Sequence, residues 1–121
     1  MPSPATVEAF MTTVESGDYV GAIERFYASD AWMRENQDEP RVGRERLMAD
    51  EARMMQRFDK ITCARMGAAA VTGDQVAIRW KFEFHRGGQV VAGLDEIAWQ
   101  TWRGEQVAEE TFFYDPRQMG G

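Results

Sequence analysis

From Val76 to His85 the chain alternates without a break. Val76, Ile78, Trp80, Phe82 and Phe84 fall on one side, and Ala77, Arg79, Lys81, Glu83 and His85 on the other. Successive side chains of a strand point to opposite faces, so this segment reads as a strand with one buried face. The period-two pattern also runs through Ile61–Val71, Val90–Trp102 and Val107–Tyr114. Between these runs lie Thr72-Gly73-Asp74, Arg86-Gly87-Gly88 and Arg103-Gly104-Glu105, which have the composition of tight hairpin turns. A meander of four long strands is predicted.

The first half of the chain has a different period. Ser3-Pro4 reads as an N-cap followed by proline at the first helical position, and Val7, Phe10, Met11 and Val14 recur at helical spacing up to Gly17. Asp18 can cap a second helix with the stripe Val20, Ile23, Phe26 and Tyr27. Ala31–Gln37 reads as a short strand, and Pro40 and Gly43 break the polar loop after it. Arg44–Arg57 returns to helical spacing, with Leu47, Met48, Met55 and Phe58 as its apolar positions. The charged residues from Arg41 to Arg57, including Glu45, Asp50 and Glu51, read as a solvated helix face. Helices gathered before a hairpin-connected meander imply one α+β domain over residues 1–121, with three N-terminal helical segments packed on an antiparallel sheet.

Composition narrows the function classes. Hydrophobic residues make up 44% of the 121 and charged residues 28%, a globular balance that needs neither a disulfide nor a metal to fold. The net charge of −6 opposes binding to nucleic acid, whose partners cluster Lys and Arg against phosphates. No run is long enough to span a bilayer and Met1–Thr6 lacks the basic-then-apolar pattern of a leader, so no membrane association and a cytoplasmic location are expected. Cys63, the single cysteine, is expected to pack as a small hydrophobe. His85 lies on the polar face of its strand and is a poor candidate for a pocket base. No metal-ligand spacing, phosphate loop or nucleophile motif occurs, so neither metal nor cofactor is expected.

The element order resembles the nuclear transport factor 2-like superfamily, most closely its SnoaL-like polyketide cyclases and ketosteroid isomerases. Glu15-Ser16-Gly17-Asp18, Glu39-Pro40-Arg41-Val42-Gly43 and Phe112-Phe113-Tyr114-Asp115-Pro116 carry the similarity. The resemblance implies a cone-shaped, cystatin-like fold with a pocket between the helices and the concave sheet. It places Glu35 where steroid isomerases keep a carboxylate base. It also places Phe10 and Ala98 where they keep the tyrosine and protonated aspartate that stabilise an enolate. Cyclase relatives carry an acid or base at about the Ala98 position as well, and here Asp95 and Glu96 are its nearest acidic neighbours.

If Ala98 faces the pocket, Leu94, Glu96, Gln100 and Trp102 share its face, and the last strand adds Glu110, Phe112 and Tyr114. Glu35 is then the candidate base and Tyr114 the candidate hydrogen-bond donor, with Phe10, Trp80, Glu96, Gln100, Glu110 and Phe112 as ligand-binding wall. The competing reading of Glu35 is a plain ion pair with Arg34 or Arg41, and a one-residue slip of register would turn Glu96 and Glu110 outward. The expected partner is a small lipophilic molecule, handled either by acid–base catalysis in an isomerase, cyclase or lyase or by binding alone. A homodimer through the outer sheet face, anchored by Trp99 and Phe113, is expected as well.

Overall fold

The computed structural model describes residues 1–120. Helix α1, Pro4–Glu15, begins where the Ser3 hydroxyl accepts the Thr6 N–H, and it buries Val7, Phe10, Met11 and Val14. It stops at Gly17, whose φ of +89° is a left-handed conformation that glycine adopts without strain. Asp18 accepts the Gly21 N–H at 3.0 Å and starts α2, Tyr19–Phe26.

Tyr27, expected on the helical stripe, is instead the first residue of strand β1, Tyr27–Glu35. Its backbone is already extended, and β1 pairs parallel to the last strand from Tyr27↔Val107 to Glu35↔Phe112. The strand therefore starts four residues earlier than the predicted Ala31–Gln37. β1 has no loop before it, so the turn residues that usually announce a strand are absent.

The predicted polar loop contains β2, Arg41–Val42, which folds back antiparallel on Trp32 and Met33. Helix α3, Arg44–Met55, follows, with Leu47 as its buried residue. The predicted strand over Ile61–Val71 is two strands, β3, Lys60–Arg65, and β4, Ala70–Thr72, separated at Gly67 (φ +114°). Both pair with β5, Gln75–Arg86. The meander closes with β6, Gln89–Arg103, β7, Gln106–Phe113, and a 3₁₀ turn, Pro116–Met119.

The sheet order is β2-β1-β7-β6-β5-β3, with β4 beside β3 along β5. Every pairing is antiparallel except β1–β7. The sheet is therefore mixed, whereas an antiparallel one was expected. The rest of the expected α+β cone stands: three helices cover one face of a curved, open sheet. Among the described residues no helix is long and apolar enough to cross a membrane.

One irregularity decides which residues of β7 face inward. Thr101 pairs with Glu109 but Trp102 pairs with Val107, so Ala108 is an extra residue, a β-bulge. Strict alternation would place Val107 and Glu110 on opposite faces. The bulge puts both inside, with Val107 at 0% exposure and Glu110 at 1%. The core assembles around Phe10, whose ring meets Phe26 at 5.6 Å, Tyr27 at 6.0 Å and Trp102 at 6.0 Å.

Candidate functional site

Helices α1–α3 and the inner faces of β1, β5, β6 and β7 enclose a cavity of about 250 Å³. This is below the ~300–1,000 Å³ of drug-sized sites and suits a ligand of one or two rings. Phe10, Tyr19, Tyr27, Trp80, Phe82, Phe84, Phe112 and Tyr114 give it aromatic walls, and Met33, Met54 and Met119 fill between them. Its polar lining is Glu35, Arg41, Asp50, Glu51, Glu96 and Glu110.

Two of these acids lie deep. Glu110 accepts the Tyr27 hydroxyl hydrogen on Oε1 and the Gln100 Nε2–H on Oε2 at 2.7 Å, and Gln100 Oε1 in turn accepts the Trp102 indole N–H at 2.9 Å. Burial raises the Glu110 carboxyl to about 7, while the hydrogen bonds from Tyr27 and Gln100 hold it down. Glu96 is 6% exposed, and its Oε2 is buried without a hydrogen-bond partner among the described residues. Burial first, and then the charge of Glu110, pushes Glu96 well above the ordinary carboxylate range. Such a group binds a proton more tightly than an exposed carboxylate, and an opposite charge in the cavity would favour its ionised form.

The remaining charges form the rim. Arg41 Nη2 donates to both oxygens of Glu35 at 3.1 Å, and Nη1 donates to Asp50 Oδ2 at 3.2 Å. Glu51 lies beside them on α3, raised to about 7 by burial against the opposing pull of Arg41. Tyr114 lines the cavity just beyond β7, and its backbone N–H donates to Asn36 Oδ1 at 3.0 Å. Burial and the nearby Glu35 raise its phenol above the ordinary tyrosine range. Among the described residues no group of three or more His, Cys, Asp and Glu is placed to hold a metal ion.

Of the residues expected from sequence, Glu35, Tyr114, Phe10, Trp80, Glu96, Glu110 and Phe112 all line this cavity. Gln100 does not; fully buried, it stands behind Glu110 and bonds to it. Glu35, the expected base, has both oxygens on Arg41, which is the ion-pair reading of that residue. The solvated-face reading of Arg41–Arg57 is corrected for Arg41, Asp50 and Glu51, which all line the cavity. For Glu51 the signal was present: Leu47, Glu51, Met54 and Met55 share helical spacing, so Glu51 sits inside the apolar stripe. Tyr27 carried no comparable signal, because its role depends on β7, remote in sequence. Ala98 is fully buried on the same face as Glu96, while Asp95 turns outward to Arg79 at 2.6 Å.

A family model, the SnoaL-like domain, matches residues 7–110. The chain belongs to the SnoaL-like domain family. Solved structures share the cystatin-like cone. A candidate SnoaL-like polyketide cyclase from Mesorhizobium loti is 26% identical with a TM-score of 0.70, covering 94% of this chain and 100% of its own. A ketosteroid isomerase-like protein from Catenulispora acidiphila, in complex with trimethylamine, is 20% identical with a TM-score of 0.75, covering 98% and 94%. A cystatin-fold protein from Novosphingobium aromaticivorans is 19% identical with a TM-score of 0.76, covering 93% and 97%. No curated protein matches the sequence. This SnoaL-like chain has Phe10 and Ala98 on its buried inner surface, and it gathers its acids instead at Glu96, Glu110 and Glu51.

Proposed function

We propose that this SnoaL-like protein binds a small lipophilic molecule and moves a proton on it without a cofactor, as an isomerase, cyclase or lyase does, with Glu96 as the transferring group. The observation that carries this reading is the unpartnered Glu96 Oε2, buried in the wall of an aromatic cavity. A carboxyl whose proton affinity is raised by burial is a stronger base than an exposed one when ionised and a usable acid when not. The network Trp102–Gln100–Glu110–Tyr27 holds the neighbouring carboxyl in place, so a ligand meets a fixed wall. Glu35 serves in this reading to hold Arg41 at the rim, and Tyr114 to offer its hydroxyl to the ligand. The trimethylamine complex of the Catenulispora acidiphila protein supports small-molecule occupancy of this kind of fold.

The test needs no knowledge of the natural substrate. 2-Tetralone, a two-ring ketone with acidic α-hydrogens, is incubated with the protein in D₂O and followed by mass spectrometry. Protein-dependent deuterium uptake is expected, lowered about 10²–10⁴-fold in Glu96→Gln. Uptake no faster than in buffer would remove the catalytic part and leave a binding protein.

A second reading concerns the opposite face of the sheet. Ile97, Trp99 and Phe113 are exposed at 37%, 45% and 39%, and Ile97 pairs directly with Phe113 across β6–β7. Exposed aromatics in one patch mark a contact surface, and we assign this one to a homodimer. In sedimentation velocity, Trp99→Ala should run as a monomer at concentrations where the parent is a dimer. An unchanged association state would count against this surface.

A further inference from the structure

The cavity carries five carboxyl groups, Glu35, Asp50, Glu51, Glu96 and Glu110, against one guanidinium, that of Arg41. Arg41 is already taken, held by Glu35 and Asp50 at the rim. The inner acids therefore have no cationic partner. Glu110 is stabilised by neutral donors, Tyr27 and Gln100, whereas Glu96 Oε2 has no hydrogen-bond donor among the described residues. A deep carboxyl left unpaired is costly in either protonation state, because even the neutral form loses hydrogen bonds it would make to water. Aromatic rings line the cavity, and the π-face of such a ring attracts organic cations more strongly than neutral groups of the same size.

We propose that the ligand of this cavity carries a protonated amine or another organic cation on a small hydrophobic frame, with the charge lying among the rings and against Glu96. The proposal rests on the reading of the cavity as a small-molecule site and adds the charge of the molecule it takes. In the free protein, protons on the inner acids balance their charge. When the cation enters, Glu96 ionises and releases its proton to solvent. The groups whose charge acts on Glu96 are Glu110 from β7, Glu35 from β1 and Glu51 from α3. Tyr27, Cys63 and Tyr114 sense the charge of Glu96 in turn, and Arg41 from β2 is the one cation in the lining. Every acid in this set favours a cation more as pH rises, and an aliphatic amine stays charged to about pH 10.

The test is calorimetric titration of the full chain with 2-phenylethylamine and with 2-phenylethanol, which match in shape and differ in charge. At about pH 8 the amine should bind about tenfold tighter than the alcohol or better. At about pH 5.5, where the inner acids hold their protons, the advantage should shrink to about twofold. Titration in two buffers of different ionisation enthalpy should show proton release with the amine and none with the alcohol. Glu96→Gln should lower amine affinity about tenfold and leave the alcohol within about twofold. Equal affinity for amine and alcohol in the parent protein overturns the proposal, whether or not the variant folds. So does an amine preference that survives in Glu96→Gln. Deuterium uptake by 2-tetralone without amine preference would sink this inference alone, and amine preference without uptake would sink only the catalytic reading.

Discussion

The Tyr27 hydroxyl donates to Glu110, joining the first residue of β1 to the bulged strand β7 across the one parallel seam of the sheet. The bond fixes the position of the carboxyl at the cavity floor and limits how far burial raises it. Tyr27→Phe keeps the ring against Phe10 and removes the donor. It should destabilise the fold by about 1–3 kcal/mol, as removal of one partner of a buried charge-assisted bond does, measured by urea unfolding. The Glu110 carboxyl should also titrate higher than about 7, because a bond that favours its charged form is gone; infrared spectroscopy of the protonated carboxyl band reads this directly.

Stability should fall as pH rises from about 5 to about 7. Glu110 and Glu51 move from an ordinary 4.5 to about 7, and burial raises Glu96 from the same ordinary value. Between those values the folded chain binds protons that the unfolded chain has released, so the slope of unfolding free energy with pH is negative. Each unit of elevation costs about 1.4 kcal/mol once pH exceeds the folded value. The acids whose affinity for protons is lowered, such as Glu15 beside Arg65, act below the ordinary carboxylate range and leave this window alone. Urea midpoints across the range check the sign, and Glu110→Gln should flatten the slope.

Much of this arrangement was legible in the residues. Helix caps at Ser3 and Asp18, the alternation of β5 and the inward parity of Glu96 follow from rules that act within one element. The parts that were not legible depend on partners remote in sequence. Tyr27 leaves its helix to pair with Val107, and Ala108 forms its bulge against Thr101 and Trp102. Arg41 and Asp50 look like surface charges until the two-residue strand β2 brings Arg41 over the cavity. Glu35 reads from the sequence as a candidate base, yet the neighbour that occupies it, Arg41, lies only six residues on.

Arg41→Gln should act on the rim and spare the floor. It removes the charge that holds Glu35 and Asp50 and that pulls Glu51 downward. Glu51 should therefore titrate above about 7, which NMR of a carboxyl-labelled sample can follow. Asp50 keeps Arg53 and, at 3.7 Å, Arg46, so the stability loss should stay near about 1 kcal/mol. A large loss would show that Arg41 supports the fold and does more than close the rim.

Phe10 tests how far cavity and core are the same object. It lines the cavity and is 2% exposed, in contact with the rings of Phe26, Tyr27 and Trp102. Phe10→Ala removes a ring from all three and should cost about 3–5 kcal/mol, since the neighbours come from α2, β1 and β6 and cannot all close on the void. Phe10→Leu retains most of the volume and should cost less, about 1–2 kcal/mol. Thermal unfolding of both variants, compared with the Tyr27→Phe protein, separates two contributions to the floor. A Phe10→Ala loss no larger than that of Tyr27→Phe would mean that α1 covers the cavity without anchoring it.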